Sequence, residues 1–277
     1  MTRRSTERTL NSLSILGLSV YMVFALFPIL WIVLMSLKSN VDVIAYPPKF
    51  LFTPILDNFK DLFRAHNFFG YYRNTFIIAI GSIVVTLIFG IPAAYAFARF
   101  KFRFRDSLAF TFLSFRFAPE LAVILPLFVI FRRLHLYNNF LGLIFVYQLI
   151  TLPLLIWMLR GYFEEVPVEI EQAARVDGCN WWMVLTRVSI PLVLPGLAAT
   201  IVLAFIFAWN GLIFGLILGG RDTYPVTMGL LSFMGYQEIK WGNMAAATVM
   251  TIVPEFLLAS FVLRYLVRGL TFGAVQG

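Results

Sequence analysis

Charge is scarce in this chain. Only 13% of its 277 residues are charged, whereas 60% are apolar and 17% aromatic. A soluble domain carries about 25% charged residues. The shortfall excludes an ordinary water-exposed globule and points to a chain immersed in lipid, in keeping with a mean hydropathy of +0.85. Cysteine is nearly missing: Cys179 stands alone, which excludes an internal disulfide. Two histidines, His66 and His135, and few acids make no metal-ligand or catalytic set. No G-x-x-x-x-G-K-[ST] phosphate loop is present. The chain is therefore expected to be no enzyme and to bind no cofactor or metal. Solenoid-period repeats and low-complexity tracts are also missing. The net charge of +8, from 22 basic and 14 acidic residues, is assigned to loops anchored at membrane surfaces rather than to nucleic acid.

What is there is a series of long apolar stretches. Leu13 to Leu37 carries no charge and follows Arg3, Arg4 and Arg8. A helix rises about 1.5 Å per residue against a hydrocarbon core of about 30 Å, so this stretch spans it. It is about twice as long as the apolar core of a cleavable signal. Further spans are predicted at Thr75–Ala98, Ser107–Phe131, Phe140–Leu159, Leu192–Leu218 and Met244–Leu263. The expected fold is an all-α membrane protein of six helices. Its parts are an N-terminal tail over 1–12, a first span over 13–37, a core over 70–265 and a C-terminal tail over 266–277. Six spans put both termini on one side. The densest basic segments are the N-terminal tail and the link holding Arg99, Lys101, Arg103 and Arg105. The positive-inside rule then places both termini in the cytoplasm of a multi-pass membrane protein.

One acidic, helix-capable insert, residues 164–191, interrupts the apolar pattern and must protrude from lipid. Pro167 suits a first helical turn, and Glu169 and Glu171 sit near the positive end of the helix dipole. Ile170, Ala173, Ala174 and Asp177 recur at helical spacing as a small, mostly apolar stripe. Gly178 suits a left-handed helix end, Asn180 caps a second short helix running to Ser189, and Pro191 and Pro195 mark the return to the bilayer. The expected unit is helix, glycine turn, helix. Alanines would let another protein approach while acidic rims orient it; the other reading is a loop lying on the chain's own helices.

These residues resemble the EAA loop of transmembrane subunits of bacterial ABC importers. Gln172-Ala173-Ala174, Gly178, Val188, Ile190 and Pro191 fall at that motif's spacings, with Asp177-Gly178 as in its carbohydrate branch. Gln172 stands where the motif has glutamate, and Glu171 is its neighbour. The resemblance extends to Ala208-Trp209-Asn210 and to the terminal Gly269-Leu270-Thr271, Gly273-Ala274-Val275 and Gly277. Together these look like a permease of the maltose-transporter type in the inner membrane. The resemblance implies six spans in a type I importer fold and a sugar or polyol substrate. It also implies a homologous second permease, an extracytoplasmic binding protein, and two ATP-binding subunits that hold ATP and magnesium. In that family the loop docks on the ATPase, and the tail, here Gly273 and Gly277, reaches the ATPase dimer.

The remaining polar residues lie within spans. Arg116 and Glu120 are four apart, hence expected on one helix face. They form either a self-neutralising pair or part of the translocation path. Pro119 and Pro126 are expected to bend this span and free carbonyl groups. Glu255, after Pro254, either pairs with Arg116 or faces the path. Asn210 either faces the path or makes a helix–helix hydrogen bond. Gly211, Gly215 and Gly219 form a ridge that predicts a close crossing, internal or with the second permease. The 30 phenylalanines are expected to face lipid mostly. A competing reading is a stand-alone proton-coupled transporter using Arg116, Glu120 and Glu255, disfavoured by few membrane carboxylates and no repeated halves.

Overall fold

The computed structural model describes residues 3–64, 67–235 and 238–273. Helices account for nearly all regular structure in these residues; the extended backbone among them is one isolated bridge between Met234 and Ile239. In chain order the helices are α1 (Arg3–Ser36), α2 (Asn40–Val43), α3 (Asp57–Arg64), α4 (Phe68–Arg99), α5 (Arg105–Ser114), α6 (Glu120–Arg133), α7 (Phe140–Val146) and α8 (Gln148–Glu165). There follow α9 (Val168–Val176), α10 (Trp181–Val184), α11 (Ile190–Leu192), α12 (Leu194–Trp209), α13 (Ile213–Leu218), α14 (Val226–Leu231) and α15 (Trp241–Gly273).

Among the described residues, three helices are long and apolar enough to cross a membrane: Leu13–Ser36, Phe68–Arg99 and Trp241–Val262. Three bent helix pairs bring the possible total to six. Arg105–Phe117 meets Glu120–Arg133 at 93°, Phe140–Val146 meets Gln148–Glu165 at 41°, and Trp181–Leu192 meets Leu194–Trp209 at 83°. The last pair is better read as an elbow. The 16 residues of α12 reach about 24 Å at 1.5 Å per residue, short of the hydrocarbon core, and the chain leaves the helix at 210–212 before α13. The expected third and fifth spans are thus broken rather than continuous. The third breaks at Ala118–Pro119, because proline disfavours a helical conformation in the residue before it. Pro126 sits inside α6 without ending it.

The chain divides into two compact units, one of Met1–Phe68 with Ser232–Thr251, the other of Phe69–Leu231 with Ile252–Gly277. In the first, side chains 13–30 of α1 are exposed, as expected for a helix facing lipid. At its end the buried Lys38 ammonium lies over the rings of Trp31 at 4.8 Å and Phe52 at 5.0 Å. Asn58 donates to the Ser36 and Lys38 carbonyls at 2.9 and 2.8 Å, so α3 caps groups that helix termini leave open.

In the second unit, α8 packs on α4 and α12 around Ala94, Tyr95, Leu155, Leu159, Phe163 and Leu197. Thr86 and Thr151 hydroxyls lie 2.7 Å apart, Thr86 donates to Gln148 at 2.7 Å, and Gln148 donates to the Ser82 carbonyl at 3.0 Å. Such polar contacts join helices where lipid supplies no hydrophobic drive. Asn74 holds the loop after α13 by donating to the Asp222 and Tyr224 carbonyls at 2.9 and 3.2 Å.

Candidate functional site

Two features within the second unit concentrate the polar chemistry. The first is the hairpin. Pro167 is the N-cap of α9, one position earlier than the sequence predicts, and its extended ψ of 128° turns the chain out of α8. The helix ends as expected: Gly178 has φ +91°, its N–H donates to the Arg175 carbonyl at 3.1 Å, and the Cys179 N–H donates to the Ala174 carbonyl at 3.0 Å. That bond pair is a Schellman ending with glycine in the left-handed position. Asn180 then caps α10 by accepting from the Met183 N–H at 2.8 Å. The second arm continues through a wider π turn, Leu185–Ser189, into α11. Arg175 stacks over Trp181 at 4.6 Å, and Trp181 meets Phe100 edge-on at 5.1 Å.

The hairpin has two faces. Glu169, Gln172, Ala173, Asp177, Gly178 and Pro191 are exposed, and Ala174 is half-buried. With them lie apolar groups that gain nothing from water: Val176 is 89% exposed and Trp182 62%. Glu171 does the opposite. Expected among the docking residues, it is turned inward and buried with 2% exposure, which removes it from the docking surface. Its Oε2 pairs with Arg99 Nε at 2.8 Å and accepts from the Tyr95 hydroxyl at 3.1 Å, while Oε1 accepts from the Ser189 hydroxyl at 2.8 Å. Arg99 Nη2 also donates to the Val166 carbonyl at 2.8 Å. Arg99, expected in the basic link at the membrane surface, is instead buried, with its side chain 7% exposed. Its position four residues after Tyr95, hence on the same helix face, was the available signal.

The second feature is a cavity of about 460 Å³ where the breaks in the third and fifth spans meet. Arg116, Glu120 and Asn210 all line it, together with Phe115, Phe207 and Phe214. Arg116 and Glu120 do not share one helix face, because Pro119 separates the 3₁₀ turn Phe115–Phe117 from α6. The Arg116 guanidinium lies over the Phe207 ring at 4.4 Å. Glu255 pairs not with Arg116 but with Asn210, whose amide donates to it at 2.7 Å and to the Ile206 carbonyl at 3.0 Å. Of the two expected arrangements, Arg116 and Glu120 take the one in which both line an opening, not that of a pair on one helix face.

The glycine ridge is only partly helical, and the short helix that holds Gly215 packs on α6 and α7 of this chain. Gly211 precedes α13 and Gly219 follows it. A Cβ on Gly211 would stand 2.3 Å from the Tyr147 ring, and one on Gly215 2.3 Å from Pro225. Tyr147 donates to the Gly211 carbonyl at 2.8 Å and Thr227 to the same oxygen at 3.2 Å, so the carbonyl freed by the break is satisfied. The close approaches are made by side chains of this chain itself. Gly273 ends α15, Gly277 lies outside the described residues, and no three or more His, Cys, Asp or Glu among the described residues are placed to hold a metal.

Comparison with known proteins gives consistent matches over the chain's length. Residues 86–272 match the family described as binding-protein-dependent transport system inner membrane component. The chain is 36% identical over 251 residues to the probable ABC transporter permease protein y4oR of Sinorhizobium fredii, covering 91% of this chain and 90% of that one. It is 34% identical over 259 residues to the trehalose transport system permease protein SugB of Mycobacterium tuberculosis, covering 92% and 93%. Among solved structures, it is similar to a bacterial ABC transporter involved in import of the acidic polysaccharide alginate, with TM-score 0.76, 25% identity and coverage of 96% and 98%.

Proposed function

Since this chain belongs to the binding-protein-dependent transport system inner membrane component family, we propose that its exposed hairpin face is the surface through which an ATPase drives sugar import. The chain is a permease subunit of a sugar ABC importer, a multi-pass protein of the inner membrane. Family membership favours this reading over a stand-alone proton-coupled transporter. In our reading a homologous second permease completes the path, and two ATP-binding subunits grip the hairpins from the cytoplasm, where both termini also lie. An extracytoplasmic binding protein delivers the sugar. ATP and magnesium reside on the ATPase.

The single observation that supports the coupling role is the hairpin's outer face: exposed Val176, Trp181 and Trp182 beside Glu169, Gln172 and Asp177. Exposed apolar groups rimmed by polar ones suit a docking site. A tagged chain should carry its ATPase through purification in mild detergent. Val176→Asp places a charge where the apolar contact forms, so the co-purified ATPase should fall at least about tenfold, as for a 1.4 kcal/mol loss. Since Val176 packs little against its own chain, membrane insertion should not change. Equal ATPase recovery with both forms would refute docking at this face.

The cavity of Arg116, Glu120 and Asn210 is our candidate for this subunit's share of the path. Charges at membrane depth usually face watery routes, and the volume lies within the roughly 300–1,000 Å³ range of small-molecule sites. Asn210→Leu would strip Glu255 of its amide donor, a loss of about 0.5–1.5 kcal/mol for an ordinary hydrogen bond, and would remove a polar group from the cavity wall. ATP-dependent sugar uptake should drop while ATPase co-purification holds. Unaltered uptake would move the path elsewhere.

A further inference from the structure

The inward-facing carboxylate of Glu171 joins four pieces of chain. Arg99 belongs to the end of α4, Glu171 to α9, Ser189 to the return arm, and Val166 to the residue before the hairpin opens. Arg99 grips on both sides of Pro167, taking the Val166 carbonyl with Nη2 and the Glu171 carboxylate with Nε, each at 2.8 Å. Neither partner is more than a few percent exposed: side-chain exposure is 7% for Arg99 and 3% for Glu171. Burying two charges costs more desolvation than an apolar pair of the same volume, and such pairs add little net stability. What the pair does supply is direction, because a planar guanidinium fixes the orientation of both oxygens it holds.

The other end of α4 makes that direction useful. Tyr72 and Phe76 pack on Trp209 with ring centroids 5.4 and 4.7 Å away, and Trp209 precedes Asn210, which lines the cavity. A contiguous run of packed groups therefore leads from the hairpin, through Arg99 and the helix, to the break in the fifth span. Spatial continuity alone is not coupling. The added element here is a buried ionic fastening, which prevents the hairpin from pivoting at Val166–Pro167 independently of α4.

We propose that Arg99 and Glu171 are positioning residues for transport: their ion pair makes the hairpin and α4 move as one body, so that a push on the hairpin displaces the cavity wall. This deepens the importer reading above and rests on it. Gln172, at the motif's glutamate position, remains exposed and free for the outer partner, while Glu171 serves the inner connection. Tyr95 and Ser189 hold the carboxylate in register.

The test uses the complete transporter, with its ATPases and binding protein, in liposomes. Both ATP hydrolysis and accumulation of radiolabelled trehalose, maltose or diacetylchitobiose are measured, using whichever sugar the wild type accumulates. Accumulation of none of them with ATP would sink the importer reading itself, independently of Arg99. Given wild-type uptake, Arg99→Gln should keep binding-protein-stimulated hydrolysis while sugar moved per ATP falls at least about fivefold, the low end of ordinary coupling factors. The doubly neutral Arg99→Gln/Glu171→Gln form leaves no unpaired buried charge and should be equally uncoupled. Arg99→Lys keeps the charge but not the two-sided grip, so it should fall between. A wild-type sugar-to-ATP ratio in the doubly neutral form would overturn the proposal, reducing the pair to a structural one. So would a proportional fall of hydrolysis and uptake in all three variants.

Discussion

Gly178→Val is expected to abolish ATP-driven uptake, by at least about tenfold, the factor that corresponds to 1.4 kcal/mol, while the chain still inserts in the membrane. The reason is backbone conformation, not crowding. A Cβ at residue 178 would meet nothing within 4 Å, yet φ is +91°. Residues held in such regions cost about 1–3 kcal/mol, and β-branched side chains tolerate them worst. The turn can relieve that strain only by moving toward negative φ. Doing so breaks the Gly178-to-Arg175 and Cys179-to-Ala174 hydrogen bonds, which end α9 and aim α10. The angle between the hairpin arms then changes, and with it the match to an ATPase surface. Gly178→Asn should be far milder, since asparagine visits the left-handed region readily. Uptake in vesicles and the amount of co-purified ATPase would both be measured. A Gly178→Val form with wild-type values for both would remove the turn from the mechanism.

The helix, glycine turn and helix of the hairpin were legible because local rules decide them. Gly178 and Asn180 act as ending and cap whatever surrounds them. The six hydrophobic stretches were legible for a similar reason, since length and hydropathy are sums over neighbours. The breaks were harder. Residues 107–131 read as one span by apolarity, and only Pro119 marks where two helices meet at 93°. The inward turn of Glu171 depended on Arg99, 72 positions away, a tertiary partner that no local pattern names. Asn210 and Glu255 likewise meet across 45 positions. The glycine ridge was legible only in part: its period is helical while the backbone at 210–212 is not, and Gly211 and Gly215 admit Tyr147 and Pro225 closely.

Trp209→Ala should be the most destabilising change near the cavity. Trp209 is fully buried, stacked on Phe205 at 5.2 Å and met edge-on by Tyr72 and Phe76. Truncating a core tryptophan costs about 3–5 kcal/mol in soluble proteins. In a bilayer the transfer from water contributes less, because lipid is as apolar as the site, so lost packing must carry the effect. The expected cost is therefore near the lower bound, about 3 kcal/mol. Its position makes the damage specific. Trp209 is the last residue of α12, and Asn210 immediately follows as the cap that donates to Glu255. An emptied indole site frees that cap to shift, so uptake should fall together with thermal stability measured on the purified complex. Trp209→Phe refills most of the ring volume and should recover much of both. If Trp209→Ala instead left the melting temperature unchanged but stopped uptake, the indole would be contacting solute and not merely setting the break; no change in either would show the aromatic cluster to be dispensable.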